Sequence, residues 1–232
     1  MHFLSRYLQH QPIAAVNIAA SEIKASVNAR DLGVTLDQCL TMSTHVSNLC
    51  KSASFALKRI GNISQYLDQP STEKFVHAFV SSKLDYCNSI LSGLPDKEIS
   101  KIQRVQNSAA RVVTKTRRVD HITPILRKLH WLPVCKRFIF KILLFTYKIL
   151  NSLAPCYLVE LTNLRQPIRC LRSNNDHLRL HIPVFRTKTY GGRAFSSCAP
   201  ALWNSLPLDV GSAPSVDTFK TKLKTFFFNN DL

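Results

Sequence analysis

The chain has 232 residues, 45% hydrophobic and 19% charged, long enough to bury a sizeable core and too apolar for wholesale disorder. Six Gly and eleven Pro exclude a collagenous or low-complexity chain, and seven Cys, an odd count without a Cys-x-x-Cys pair, exclude a disulfide scaffold and favour a reducing compartment. The formal net charge of +17 is lopsided: residues 1–100 hold nine Lys/Arg against eight acids, residues 101–232 hold 22 against six, which points to a polyanionic partner, nucleic acid before an anionic membrane surface.

The stretch Met1–Pro12 has no small-residue cleavage site after a long apolar run, so a secretory signal is not expected. Residues 1–42 contain β-branched stretches at Ala15–Ala20 and Ser26–Asp37, with Gly33 between Leu32 and Val34, and are expected to form a small β-hairpin or edge piece. From Ser43 the period changes to three and four: Val46, Leu49, Ala53, Leu57, Ile60, Ile63 and Leu67 mark one helix face. A second helix is expected after Pro70, capped by Ser71 and ended by Gly93, with Phe75, Phe79, Val80, Leu84, Cys87 and Leu91 facing its core. A third opens at Pro95 and packs Ile99, Ile102, Val105, Ala109 and Val113. Three amphipathic helices with short turns predict a three-helix bundle over 43–118.

A short helix over Pro124–His130 and a long one over Val134–Leu153 are expected next. The long one is apolar nearly all round, with Arg137, Lys141 and Lys148 as a narrow polar stripe, which is the pattern of a core helix with one edge at solvent or phosphate. Its apolar run, Phe138–Leu150, is too short for a membrane span and contains Lys141 and Lys148. Pro155–Leu164 completes the core helices of 119–164. In 165–232, Arg165, Arg169, Arg172, Arg179, Arg186 and Lys188 are interleaved with Asn, Pro and Gly, and Leu178–Ile182 alternates as a strand does; two closing helices, Arg193–Leu206 and Ser215–Phe228, follow. The expected fold is thus mainly α, with a small N-terminal hairpin, a three-helix bundle and a helical C-terminal region carrying a short β/loop insertion.

Two-metal polymerases and nucleases need clustered carboxylates. The 14 acids are scattered singly, with no Asp-Asp, Asp-x-Asp or Asp-x-x-Glu, and neither a phosphate loop nor a G-x-S-x-G elbow is present. His177 and His181 have a spacing that zinc sites use, with Cys170 and Cys198 as conceivable further ligands, but the same spacing also places residues on one face of a strand, and that reading is preferred. Cys39, Cys87 and Cys156 have apolar neighbours and are expected as small core residues. Trp131 and Trp203 are of the type that stacks bases, yet both sit in Leu-rich settings that favour the core. The candidate site is a ridge of cations: Lys97, Lys101, Arg104, Arg111 and Lys115 return to one side of the third helix, opposite its apolar face, with no carboxylate among them. A merely solvated face mixes signs, so phosphate contact is the expectation, with Arg117, Arg118, Arg137 and Lys141 as outer members.

Eight stretches, in order, then carry a resemblance: Ala29–Val34 (Ala-Arg-Asp-Leu-Gly-Val), Leu84–Asn88 (Leu-Asp-Tyr-Cys-Asn), Gln103–Arg111, His121–Pro124, Leu129–Val134 (Leu-His-Trp-Leu-Pro-Val), Leu153–Leu158, Tyr190–Phe195 (Tyr-Gly-Gly-Arg-Ala-Phe) and Ala201–Pro207. Together they resemble the end of the reverse transcriptase of a LINE-type, non-LTR retrotransposon of the jockey-like group, over roughly residues 25–228. The resemblance implies that residues 1–42 correspond to the last palm strands, 43–118 to the helical thumb, and the remainder to the C-terminal region. That family's endonuclease and carboxylate-bearing palm have no counterpart in the chain, so its catalytic residues have no positions to be carried onto; Met1 would be a start inside an older, degraded element. The implied function is non-specific grip on RNA or an RNA–DNA duplex by its phosphates, without catalysis, metal or cofactor, in the cytoplasm or nucleus, with an intact reverse transcriptase as a further partner; the alternative is an interaction remnant without activity of its own.

Overall fold

The computed structural model describes the backbone of residues 15–18, 21–24, 26–165, 179–187 and 189–231, and the side chains of 26–165, 179–187 and 189–229. The chain is mainly helical, with two short antiparallel hairpins before the first helix. β1 (Ala15–Ile18) pairs with β2 (Ser21–Lys24), and β3 (Asn28–Asp31) with β4 (Val34–Asp37). Leu32 and Gly33 close the second hairpin with φ of 44° and 83°, the left-handed pair that matches the twist of the strands; Gly33 adopts it without strain. The helices fall into two compact units. One runs to Cys87 and resumes over Leu94–Lys115; the other comprises Asn88–Gly93 and the chain from Thr116.

In the first unit, Asp37 governs the entry into α1 (Ser43–Ile63). Its carboxylate accepts hydrogen bonds from the backbone N–H of Cys39 (3.1 Å), Thr41 (2.9 Å) and Met42 (2.6 Å), and from the Thr41 hydroxyl (3.1 Å). Partial burial raises the Asp37 pKa, but these donors outweigh it and leave the carboxyl below its ordinary value. A group depressed in the folded state stabilises above its unfolded pKa, and that stability is lost as pH falls through the folded value. Asp37→Ala is expected to cost about 2 kcal/mol, the scale of hydrogen bonds to a charged acceptor. Asp37→Asn should flatten the acid limb of stability below about pH 4, read by urea unfolding across pH.

α1 buries Val46, Ala53, Leu57 and Ile60, as the period of its sequence demands, while Leu49 is half-buried and Ile63 exposed. The next helix is continuous but not uniform: α2 (Gln69–Val76), a π-helical turn (His77–Ser81) and α3 (Ser82–Asp85). Its cap is Asp68, which accepts from Ser71 N–H, rather than Ser71 itself. Of the residues expected in its core, Val80, Leu84 and Leu91 are buried, whereas Phe75 and Phe79 are exposed and Val76 is buried in their place. Val76, Val80 and Leu84, four residues apart, form one row on the inner side, and Phe75 and Phe79 fall beside that row. Cys87, with φ of 50°, ends this run well before Gly93. α4 (Asp96–Thr114) lays Ile102, Val105, Ala109 and Val113 against α1 and α2, with Ile99 half-buried at the margin.

The second unit begins with the 3-10 turn Asn88–Leu91. Arg193 explains why this turn belongs here: its side chain lies over Gly93, where an added Cβ would stand 2.9 Å from Arg193 Cγ, and donates to the carbonyls of Ile90 (3.1 Å) and Ser92 (3.2 Å). α5 (Ile122–Lys128) and α6 (Val134–Leu150) follow, then the single turn α7 (Cys156–Val159), α8 (Phe195–Asn204), the turn α9 (Leu208–Gly211) and α10 (Val216–Asp231). Their shared core is aromatic: Tyr147 stacks on Phe219 (centroids 4.3 Å), Phe219 also meets Trp203 (6.0 Å), and the Tyr147 hydroxyl donates to Ala213 O (2.7 Å). Trp131 and Trp203 are both buried, whereas Cys156 is exposed on α7, and Cys39 and Cys87 are only half-buried. Leu180 makes an isolated bridge to Leu164 and is strapped to α8 by Asn204, whose amide exchanges two 2.9 Å hydrogen bonds with the Leu180 backbone. Arg169, Cys170, Arg172, His177 and Lys188 lie outside the described residues.

Candidate nucleic-acid interface

α4 presents its cations unequally. Lys97 and Arg104 are exposed near its start and middle. Lys101 is spent locally: its ammonium lies 2.8 and 2.9 Å from the two carboxylate oxygens of Glu98, which is only 6% exposed. The ridge therefore does contain a carboxylate, hidden from a sequence count because Glu98 sits three residues away and folds inward. Arg111 is half-buried. Lys115 is exposed, holds a left-handed φ of 53° after the last turn, and donates to Leu67 O at 3.3 Å. Lys97, Arg104 and Lys115 are thus the ridge members that meet solvent, and Ser108, whose hydroxyl bonds back to Arg104 O, fills the gap between them.

Arg117 and Arg118 belong to the second unit and are exposed on the loop that Asp120 closes by accepting from Arg117 N–H (3.0 Å). On α6, Lys141 is exposed with its ammonium 5.4 Å from the centroid of the Phe145 ring, and Arg137 is half-buried one turn earlier. Sequence reasoning misses further cations here. Arg127 and Lys128 are exposed in the last turn of α5; Lys136 lies over the Phe227 ring (5.6 Å) and Lys224 over that of Phe228 (6.0 Å). A signal for Arg127, Lys128 and Lys136 exists: residues 121–159 contain no Asp or Glu at all, whereas Lys224 lies outside that run. Elsewhere in the unit, Asp217 and Asp209 pair with Lys220 and Lys222.

The first unit also holds an open cleft of about 730 Å³ lined by Arg30, Thr35, Ser52, Ser82, Lys83 and Tyr86, with His45 buried in its wall. His45 Nδ1 accepts from Thr35 N–H (3.3 Å), and burial pushes its pKa down, so the imidazole is neutral at neutral pH. Cys87 beside Tyr86 pushes the phenol pKa up, and Tyr86 donates to Leu32 O at 2.7 Å. Among the described residues no carboxylate lines the cleft, and those that do line it offer cations and neutral donors. Among the described residues no group of three or more His, Cys, Asp or Glu is placed to hold a metal; His181 is exposed and Cys198 half-buried on α8. Among them, too, no helix is long and apolar enough to cross a membrane. The chain matches no family model, no curated protein and no solved structure.

Proposed function

We propose that this chain is a nucleic-acid grip of the kind found after the palm of a non-LTR retrotransposon reverse transcriptase, holding RNA or an RNA–DNA duplex by its phosphates without catalysing strand synthesis. The observation that carries the reading is the acid-free run 121–159 with six Lys/Arg, together with the solvent-facing Lys97, Arg104 and Lys115 of α4. Cations without interspersed carboxylates attract a polyanion and release its counterions, a term indifferent to base sequence. These 232 residues hold no Asp-Asp or Asp-x-Asp cluster of the kind that grips catalytic magnesium, so the reading gives them binding rather than strand synthesis. The thiols among the described residues are unpaired and suit the reducing cytoplasm or nucleus, where such a template would be met.

Binding of a fluorescein-labelled RNA–DNA duplex, titrated between about 50 and 200 mM salt, is expected to weaken steeply and to be independent of sequence. Salt-independent binding, or none at low salt, overturns the proposal. A second reading, an interaction remnant without nucleic-acid affinity, draws on the exposed Phe55, Tyr66, Phe75 and Phe79. Light scattering separates the two: a monodisperse chain that binds duplex supports the grip, and aggregates without affinity support the remnant.

A further inference from the structure

We infer that the outward side of α1 and α2 in the first unit is a stacking surface for single-stranded nucleic acid, distinct from the duplex-phosphate ridge of α4. The inference rests on the nucleic-acid reading above and adds the form of the ligand.

α1 runs for 21 residues without one Asp or Glu, and its outward side carries Lys51, Phe55, Lys58 and Arg59. Phe55 is 66% exposed, with the Arg59 guanidinium 5.9 Å from its ring centroid. On the neighbouring helix Phe75 and Phe79 are 39% and 52% exposed, and their rings lie 13° from parallel with centroids 6.3 Å apart. Lys83 on α3 donates to Ser52 on α1 at 2.8 Å, which joins the exposed edges of the two helices. Phe55 lies three residues after Ser52 and Phe79 four before Lys83, so this hydrogen bond ties the two ring-bearing helices within about one turn of Phe55 and of Phe79. Packing does not require them there: Val76 and Val80 fill the inner side completely.

The mixture of rings and cations decides the occupant. The core of a protein–protein interface is depleted of Lys, whereas Phe55 is flanked on its own helix by Lys51, Lys58 and Arg59. Unpaired bases need open π faces, and their backbone needs cations alongside; a duplex hides its base faces and cannot use the rings. Glu73, close to this side, faces His77 at 3.4 Å.

The test uses the full chain and two labelled probes, a short oligo(U) and an RNA–DNA duplex. Phe55→Ala with Phe79→Ala is expected to weaken oligo(U) binding about ten- to a hundredfold, the scale of base stacking on aromatic rings. The salt slope should stay unchanged, because stacking releases no counterion, and duplex affinity should hold. Phe55→Leu with Phe79→Leu keeps apolar bulk and removes the ring, and should weaken oligo(U) binding in the same direction, with circular dichroism confirming the fold. Unchanged oligo(U) affinity in both pairs, with duplex binding intact, overturns this inference and leaves the grip standing. Failure of the unsubstituted chain to bind either probe overturns both. Conversion of an oligomer to monomer by these substitutions, with oligo(U) affinity intact, assigns the face to a protein and also overturns the inference.

Discussion

Truncation of Phe219 to alanine is expected to cost about 3–5 kcal/mol, the upper range for a single core side chain. Phe219 is fully buried, stacks on Tyr147 and meets Trp203, so its removal opens a cavity bounded by two rigid rings that cannot collapse into it. A loss of that size is a large part of the roughly 5–15 kcal/mol that holds a typical domain together. The measurement is direct, because the chain has two tryptophans and both, Trp131 and Trp203, are buried in the second unit. Intrinsic fluorescence during urea unfolding therefore reports on the unit that contains the cavity. The midpoint should fall sharply in Phe219→Ala and stay put in Phe79→Ala, whose ring is half in solvent on the first unit. Equal midpoints for Phe219→Ala and the unsubstituted chain would show that α10 does not seal this core.

The contrast between those two phenylalanines marks how far the sequence can be read. Helical periodicity finds α1, α4 and α6 nearly to their ends, because a long amphipathic stripe leaves few alternatives. It puts Phe75 and Phe79 inside on apolar character alone; at 100° per residue they fall about 100–140° from the middle of the row Val76, Val80 and Leu84 that is buried, so the wheel itself leaves both rings outside. The same limit applies to the end of the second helix. Gly93 is the obvious breaker in the sequence, whereas the chain turns at Cys87 and Gly93 serves instead to admit Arg193. A contact between residues a hundred positions apart leaves no local trace.

The candidate site is legible in the sequence as charge but not as geometry. Counting sign along α4 and its C-cap Lys115 finds five cations; only the fold reveals that Glu98 turns inward and occupies Lys101. The acid-free surface of α1 is easily passed over, because its three cations are few beside those of the C-terminal half. A count restricted to one helix, rather than to a half of the chain, exposes a 21-residue element with cations and no acid.

The Glu98–Lys101 pair makes the ridge testable residue by residue. Neutralising Lys97, Arg104 and Lys115 together as glutamines should remove about 0.9 from the slope of log affinity against log salt for each phosphate no longer neutralised, roughly 2–3 in all on a B-form duplex. Lys101→Gln should leave that slope almost unchanged, because the Lys101 ammonium already sits between both oxygens of Glu98 and has no charge to spend on a phosphate. Its effect should fall on stability instead, since a carboxylate only 6% exposed loses the cation that compensates it. Removing one partner of a buried pair commonly costs a few kcal/mol; with Lys101 itself partly exposed, about 1–2 kcal/mol is the expectation. Salt titrations of duplex binding and urea unfolding of the same variants, with Arg104→Gln alone beside them, separate the two roles. If Lys101→Gln flattens the slope as much as Arg104→Gln does, the Glu98 pair opens to let Lys101 reach the phosphates. If the triple variant keeps the full slope, the ridge does not touch nucleic acid, and the cations of α5 and α6 must carry the grip.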